Sequence, residues 1–427
     1  MNMSKWAFIL VAVFFVFPAL MFAAADKDYF VGAYYYPWYG DNNFHGPYPT
    51  GSTTLVYHLN PQMTPQLGWY NQTHSDVISQ HYKWARYAGI NFFVNSYWGR
   101  NSTEDSIIKN YMFDNPDRGD IKLAVFLEPS ITISNITTET YYLCDNYFYR
   151  PGYYRIDDKP VVFIYVTRAM SDANLTTYIT DLRTAATSKG YTVYIVGDEV
   201  FGGSGAFKSS RVSLMDAITN YDVYGNLGAG HFATDSTLNA WQSDCNSWRT
   251  KAHSISREFI PAVSPGFNDR GVRSGHTPTS RKLYNETYAF GTLLSGMLDR
   301  AKSLADRDMI MVTSWNEWHE DTQIEPTISA PPTNIDDSNT TQNYTQGLYY
   351  NGYGMLYLNI LRDKTTLLAL CDYDDDGRVG FDDLAFLLDY WLGTCTTDIN
   401  CIEADLTTNG TINFADFEIC AQQWTSQ

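Results

Sequence analysis

The chain has 427 residues, 44% hydrophobic and 16% aromatic, enough to bury a large core in a barrel-sized domain beside a small module. A net charge of −18 argues against nucleic acid as a partner. The charge is uneven: Cys371 to Gln427 holds twelve Asp/Glu and one Arg, a net of −11, which suggests cation binding there.

The first residues read as a secretion signal: Lys5, an apolar run from Trp6 to Phe22, and small residues Ala23, Ala24 and Ala25. Residues 1–25 are thus expected to be cleaved, giving a secreted, extracellular or periplasmic protein. A membrane anchor is the alternative, at the lower length limit for a span. No Cys follows the run, which disfavours a lipoprotein, and no later stretch is long and apolar enough to span a membrane.

Apolar, β-branched and aromatic runs predict strands at Phe30–Tyr36, Ile90–Trp98, Ile121–Glu128, Pro160–Val166, Tyr191–Val196, Ala217–Tyr224, Phe259–Ser264 and Met309–Ser314. Helical spacing predicts helices over Ser75–Gly89, Glu104–Phe113, Thr138–Tyr149, Asn174–Lys189, Tyr284–Ala305 and Tyr344–Arg362. Eight strands mostly alternating with helices imply an α/β fold, a closed (β/α)8 barrel over residues 26–365. The alternative, an open doubly wound sheet, lacks a glycine-rich phosphate loop after any strand.

Barrel chemistry lies at the carboxyl ends of the strands. Reading those ends gives Tyr36 and Trp38; Asn95, Tyr97 and Trp98; Glu128; Tyr165; Asp198 and Glu199; Tyr221, Asp222 and Tyr224; Asn268, Asp269, Arg270 and Arg273; and, after the eighth strand, Trp315, Asn316, Glu317, Trp318, His319 and Glu320. Such an aromatic, amide and acidic set suits a glycan cleft. Glycoside cleavage needs one carboxyl protonated and another ionised, and Glu317 and Glu320 stand three apart among indole rings that can desolvate one of them. No zinc-type His/Cys cluster and no Gly-x-Ser-x-Gly elbow appears.

The stretch Trp315 to Glu320, followed by Thr322-Gln323-Ile324-Glu325-Pro326, resembles the signature of glycoside hydrolase family 99, the endo-α-mannosidases and endo-α-1,2-mannanases. Tyr35-Tyr36-Pro37-Trp38-Tyr39-Gly40 and Pro265-Gly266-Phe267-Asn268-Asp269 with Arg270 and Arg273 resemble its first- and seventh-strand motifs, and Tyr221-Asp222-Val223-Tyr224-Gly225, more weakly, its sixth. The resemblance implies a retaining, endo-acting enzyme on α-mannose-type linkages, in which the sugar's own 2-hydroxyl attacks the anomeric carbon to give a 1,2-anhydro intermediate. It implies Glu317 as the base and Glu320 as the acid/base, with no metal for catalysis. The expected substrate-binding residues are Tyr36, Trp38, Tyr97, Trp98, Glu128, Tyr221, Tyr224, Asn268, Arg270, Arg273, Trp315, Asn316 and His319, and the expected partner is mannan or another α-linked glycan. The chain departs from the family pattern at Asp321, where Gly is expected, and in Arg273-Ser274-Gly275-His276. A non-catalytic glycan-binding scaffold is the rival from another class; intact Glu317 and Glu320 argue against it.

Residues 368–427 read as a small all-α module of paired calcium loops. Asp372, Asp374, Asp376, Arg378 (through its carbonyl) and Asp383 hold the ligand register of one loop; Asp405, Thr407, Asn409, Thr411 and Asp416 hold that of a second. Helices are expected over Leu384–Leu392 and Phe417–Trp424. This duplication resembles dockerin modules, which implies bound Ca²⁺ and docking onto a cohesin-type scaffold partner. Cys371, Cys395, Cys401 and Cys420 suggest two disulfides with three pairings open; Cys144 and Cys245 are paired or free. Asn71, Asn101, Asn135 and Asn174 lie in Asn-x-Ser/Thr sites that matter only in a eukaryotic host.

Overall fold

A computed structural model describes residues 28–40, 53–227, 230–338, 342–366, 371–373, 379–394, 401, 404–407 and 410–422. The expected signal segment therefore lies outside the described residues, as do Asp374, Asp376, Arg378, Asn409 and Cys395. Among the described residues no helix is long and apolar enough to cross a membrane.

Eight parallel segments close the barrel. They are β1 (Phe30–Tyr35), β2 (Ile90–Tyr97), β3 (Lys122–Leu127), β4 (Lys159–Ile164), β5 (Tyr194–Asp198), β6 (Ala217–Thr219), β7 (Glu258–Ile260 and Ala262–Val263) and β8 (Met309–Val312). Closure runs through β7. Its first part pairs with β6, Thr219 opposite Ile260, and its second with β8, Ala262 opposite Met311. Pro261 interrupts this strand because it has no N–H to give the ladder. The Asn220 side chain repairs the gap, accepting from the Ala262 N–H at 2.8 Å and donating to the Ala262 carbonyl at 3.1 Å.

The apolar runs that predicted the strands are buried on both faces, as parallel barrel strands require. Aromatic rings fill the interior. Tyr34 lies 4.8 Å from Phe126 and edge-on to Tyr221, also at 4.8 Å, with Phe163 6.0 Å away. Much of the aromatic load thus plugs the barrel beneath its open end.

The longest helix among the described residues, Asp235–His253, was not expected. Its buried residues are Leu238, Trp241, Cys245, Trp248 and Ala252, a stripe at three- and four-residue intervals, and Thr234 and Thr237 close a capping box at its start. Two expected helices are shorter than predicted. Tyr284–Ala305 is helical only over Thr292–Ala301, because Tyr284 and Gly291 adopt positive φ. Tyr344–Arg362 gives way to Leu356–Thr365: Gly347 and Gly354 take positive φ, and Tyr350–Gly352 instead pairs antiparallel with Ala330–Thr333. The sixth strand stops at Thr219, since Asn220 turns to β7 and Val223–Leu227 is helical.

The C-terminal residues form their own core of Cys371, Val379, Leu387, Cys401, Ala404, Ile412 and Cys420, under helices Phe381–Asp389 and Phe414–Gln422. Cys371 pairs with Cys420, and Cys401 is disulfide-bonded too. Cys144 and Cys245 are free and buried.

Candidate active site

The chain leaves β8 into a loop tied to itself. Ser314 N–H donates to the Thr322 carbonyl at 2.8 Å, and the N–H groups of Ile324 and Glu325 return to the Ser314 and Trp315 carbonyls at 3.0 and 2.9 Å. Inside this staple the Glu317 N–H donates to Ser314 Oγ at 2.8 Å. Asn316 joins the loop to the end of β1: its side chain accepts from the Tyr36 N–H at 2.7 Å and donates to the Tyr36 carbonyl at 3.0 Å. Glu325, fully buried, anchors the far side through Tyr70 Oη at 2.8 Å and Trp318 Nε1 at 2.9 Å.

Glu317 and Glu320 face a cleft of about 790 Å³ at the carboxyl end of the barrel. Tyr36, Trp38, Trp98, Glu128, Tyr221, Arg273 and His319 line it as expected, together with Thr53, Pro129, Tyr165 and Val272. A side cavity of about 170 Å³ continues past Glu320, walled in part by Asp222, Tyr224, Asp269 and His276.

Five expected residues border neither the cleft nor its side cavity. Side chains alternate along a strand, so Tyr97 faces the helices and donates to Glu139 at 3.0 Å, while its neighbours Ser96 and Trp98 face in. Trp315 is buried behind the sheet against Phe93 and His81. Asn316 is occupied with the Tyr36 backbone. Asn268 donates to the Tyr344 carbonyl and Tyr350 hydroxyl. Arg270 pins the rim by donating to the Asn343 and His276 carbonyls. Of the other strand-end residues, Asn95 donates into the sheet at the Ala124 carbonyl, Asp198 is paired with Arg168, and Glu199 with Arg211.

The two carboxyls have unlike surroundings. Glu317 is buried, and one of its oxygens accepts from the His319 N–H at 2.9 Å and from His319 Nδ1 at 3.0 Å. Burial holds the His319 imidazole down to about 4, so the ring is neutral and gives Glu317 a hydrogen bond rather than a charge. Glu320 is one-fifth exposed, and the partner beside its carboxyl is the Arg273 guanidinium at 3.4 Å. Burial raises both acids, and the charge of Glu317 raises Glu320 further. Two N–H groups of His319 favour the ionised form of Glu317, whereas on Glu320 the charge of Glu317 and the Arg273 guanidinium act in opposite senses. Glu128, buried and accepting from Ser96 Oγ at 2.7 Å, is pushed up to about 8 by desolvation and then by the two glutamates. Opposite, the hydroxyls of Tyr36 and Tyr221 are hydrogen-bonded to each other.

The cleft residues that sequence reading overlooked, Thr53, Pro129 and Val272, sit in connections with no periodic pattern. Tyr165, Asp269 and His276 were visible as strand-end or loop residues but were not singled out as substrate-binding.

Residues 47–352 match the family model described as "Glycosyl hydrolase family 99". The chain is 26% identical to the Rattus norvegicus "Glycoprotein endo-alpha-1,2-mannosidase", over 70% of this chain and 68% of the relative. It is 24% identical to the Mus musculus "Glycoprotein endo-alpha-1,2-mannosidase-like protein", over 69% of each. Among solved structures, the GH99 endo-alpha-mannosidase from Bacteroides thetaiotaomicron shares the fold, with a TM-score of 0.53, 21% identity, and coverage of 79% of this chain and 99% of that one.

Proposed function

Because the chain belongs to glycosyl hydrolase family 99 and is a glycoside hydrolase, we propose that it is a secreted, retaining, endo-acting enzyme that cleaves α-mannosidic linkages. The observation that carries this reading is the asymmetry of the acid pair: Glu317 accepts two N–H groups, and Glu320 has a guanidinium beside it.

In the first step Glu317 takes the proton of the 2-hydroxyl, and that oxygen's electron pair forms the new bond to the anomeric carbon. The bond to the leaving oxygen breaks as Glu320 protonates it, and a 1,2-anhydro sugar results. In the second step Glu320, now ionised, takes a proton from water, the water oxygen bonds the anomeric carbon, the bond from that carbon to the 2-oxygen breaks, and the 2-oxygen recovers its proton from Glu317. Tyr36, Trp38, Trp98 and Tyr221 offer ring faces and hydroxyls to the sugar. The 1,2-anhydro route and these residue roles come from the motif resemblance and agree with the surroundings of the two acids.

The C-terminal residues extend the proposal to a Ca²⁺-binding, dockerin-like module that docks onto a cohesin-type scaffold. In support, both loops hold their twelfth-place carboxylate alike: Asp383 accepts from the Gly380 N–H at 2.7 Å, and Asp416 from the Asn413 N–H at 2.9 Å. Asp372, Asp405, Thr407 and Thr411 stand at their loop positions, and the remaining candidate ligands lie outside the described residues.

Screening the purified protein against α-mannans and other α-linked polysaccharides, with product sizing and NMR of the newly released anomer, tests the reading. Internal cleavage with retained configuration supports it; an inverted product, or release of monosaccharide from chain ends, defeats it.

A further inference from the structure

Arg273 Nη1 serves two carboxyls. It lies 2.7 Å from Asp269 Oδ2 and 3.4 Å from Glu320 Oε1. Asp269 is fully buried, and the same Oδ2 also meets His276 Nδ1 at 2.8 Å. Its other oxygen, Oδ1, has no hydrogen-bond partner among the described residues. The Arg273 N–H donates to the Asp269 carbonyl at 2.7 Å, so the backbone turn presents the guanidinium back to the carboxylate that started it. Asn268 N–H donates to the Glu320 carbonyl at 2.7 Å, which ties this loop directly to the acid's own backbone.

We propose that Asp269 is a positioning residue that holds Arg273 off Glu320 and neutralises it there, so that Glu320 keeps its proton until the leaving oxygen needs it. This rests on the assignment of Glu320 as the acid. A guanidinium committed to Glu320 would stabilise the carboxylate and make a poor proton donor. A guanidinium committed to Asp269 is a near-neutral pair that orients Glu320 through one long contact. After proton transfer the same Arg273 is in place to meet the new charge.

Glu320 faces other groups whose charge bears on this balance: Glu317 on its own loop, Tyr36 after β1, Glu128 after β3, Tyr165 after β4, and Tyr221 and Asp222 after β6. Asp222 is itself paired with Arg168 at 3.4 Å, and Glu317 is held by His319. Among these, Arg273 is the cation beside Glu320, and Asp269 and His276 are the groups that touch it or its partner.

The test reads the proton on Glu320 directly. The protein carries ¹³C-labelled Glu carboxyls, and the Glu320 signal is assigned by its loss in Glu320→Gln. In Asp269→Asn the Glu320 midpoint should fall by about one pH unit, because Arg273 is released to it. In Arg273→Gln it should rise, because the cation beside Glu320 is gone and Asp269 is left uncompensated. The alkaline limb of kcat/KM on an α-1,2-mannan oligosaccharide should move the same way in each variant. A dinitrophenyl glycoside, whose leaving group needs no proton, should lose less rate in Asp269→Asn than the oligosaccharide does. Midpoints unchanged in both variants, or moving in the same direction, overturn the proposal. If Asp269→Asn does not fold, Asp269→Ser takes its place, with the same fall of the Glu320 midpoint expected and no fall overturning the proposal. A parent protein that titrates as expected yet cleaves no α-glycan defeats the functional reading and leaves the arrangement standing.

Discussion

Arg281 and Asp321 form an ion pair sealed from solvent, 1% and 0% exposed at their side chains, with Nη2 2.9 Å from Oδ1. Arg281 also donates to the Asp321 and Gln323 carbonyls and lies over the rings of Tyr353 and Tyr357. Asp321 is the position where the family pattern leads one to expect Gly, and its φ of +52 explains why Gly fits such a place. Here a left-handed Asp supplies the carboxylate that compensates a buried guanidinium.

Asp321→Gly should therefore destabilise the barrel although the backbone favours Gly. Relief of the left-handed conformation returns about 1 kcal/mol, while stranding a buried charge costs about 3–5 kcal/mol. Denaturant unfolding should show a loss of about 2–4 kcal/mol; an unchanged midpoint would remove the pair from the account of stability.

For the chemistry, Glu320→Gln should lower turnover of natural linkages by about 10² or more and spare substrates with activated leaving groups. Glu317→Gln should lower both, since the proposed route deprotonates the 2-hydroxyl whatever leaves. Steady-state kinetics on paired substrates separates the roles, and equal losses in both variants on both substrates would contradict them.

At the rim, Trp98 is 40% exposed and fixed by an Nε1 bond to Ser96 Oγ at 3.0 Å. Trp98→Ala should raise KM several-fold, in line with about 0.5–1.5 kcal/mol for an aromatic contact, with kcat nearly kept. A variant with unchanged KM would take this ring out of the subsites.

Glu128 links the cleft to stability. Its carboxyl is pushed from an ordinary 4.5 to about 8, so between those values the folded state holds a proton that the unfolded chain has released. Stability from this group is thus lost as pH rises through that window. Glu128→Gln removes the titration and can keep the bond from Ser96. Its melting temperature should fall less than the parent's between pH 5 and pH 8, and parallel melting curves would show that Glu128 does not carry the effect.

For the C-terminal module, chelation in the full-length protein should lower helix content and open residues after Cys371 to protease, while glycan turnover stays the same. The Cys371–Cys420 disulfide bounds the change, so the oxidised form is the one to compare. Protease patterns indifferent to Ca²⁺ would leave an acidic, disulfide-held appendage.

What could be read from the chain follows from how local each signal is. All eight strands showed because their residues are apolar on both faces, which leaves continuous runs. The Asp235–His253 helix was missed because its five buried positions are separated by polar residues such as Asn239 and Ser243, a narrow stripe that is easy to overlook. The Tyr284–Ala305 expectation overran because aromatic residues at helical spacing, Tyr284 and Tyr288, pack against each other at a tilt outside any helix. Glu317 and Glu320 were legible because one short loop carries both. The wall opposite was not, because Thr53, Pro129 and Val272 meet only when three separate connections converge on the closed barrel. Trp315 misled by its company: it adjoins the acids in sequence and points the other way.

The backbone staple from Ser314 to Glu325 makes the two acids passengers on a single rigid piece. A distortion that reaches this piece displaces both together and leaves their mutual spacing intact. In the proposed route each acid acts in both steps, so damage to the loop slows formation and opening of the 1,2-anhydro sugar alike and shows as a uniform loss of rate.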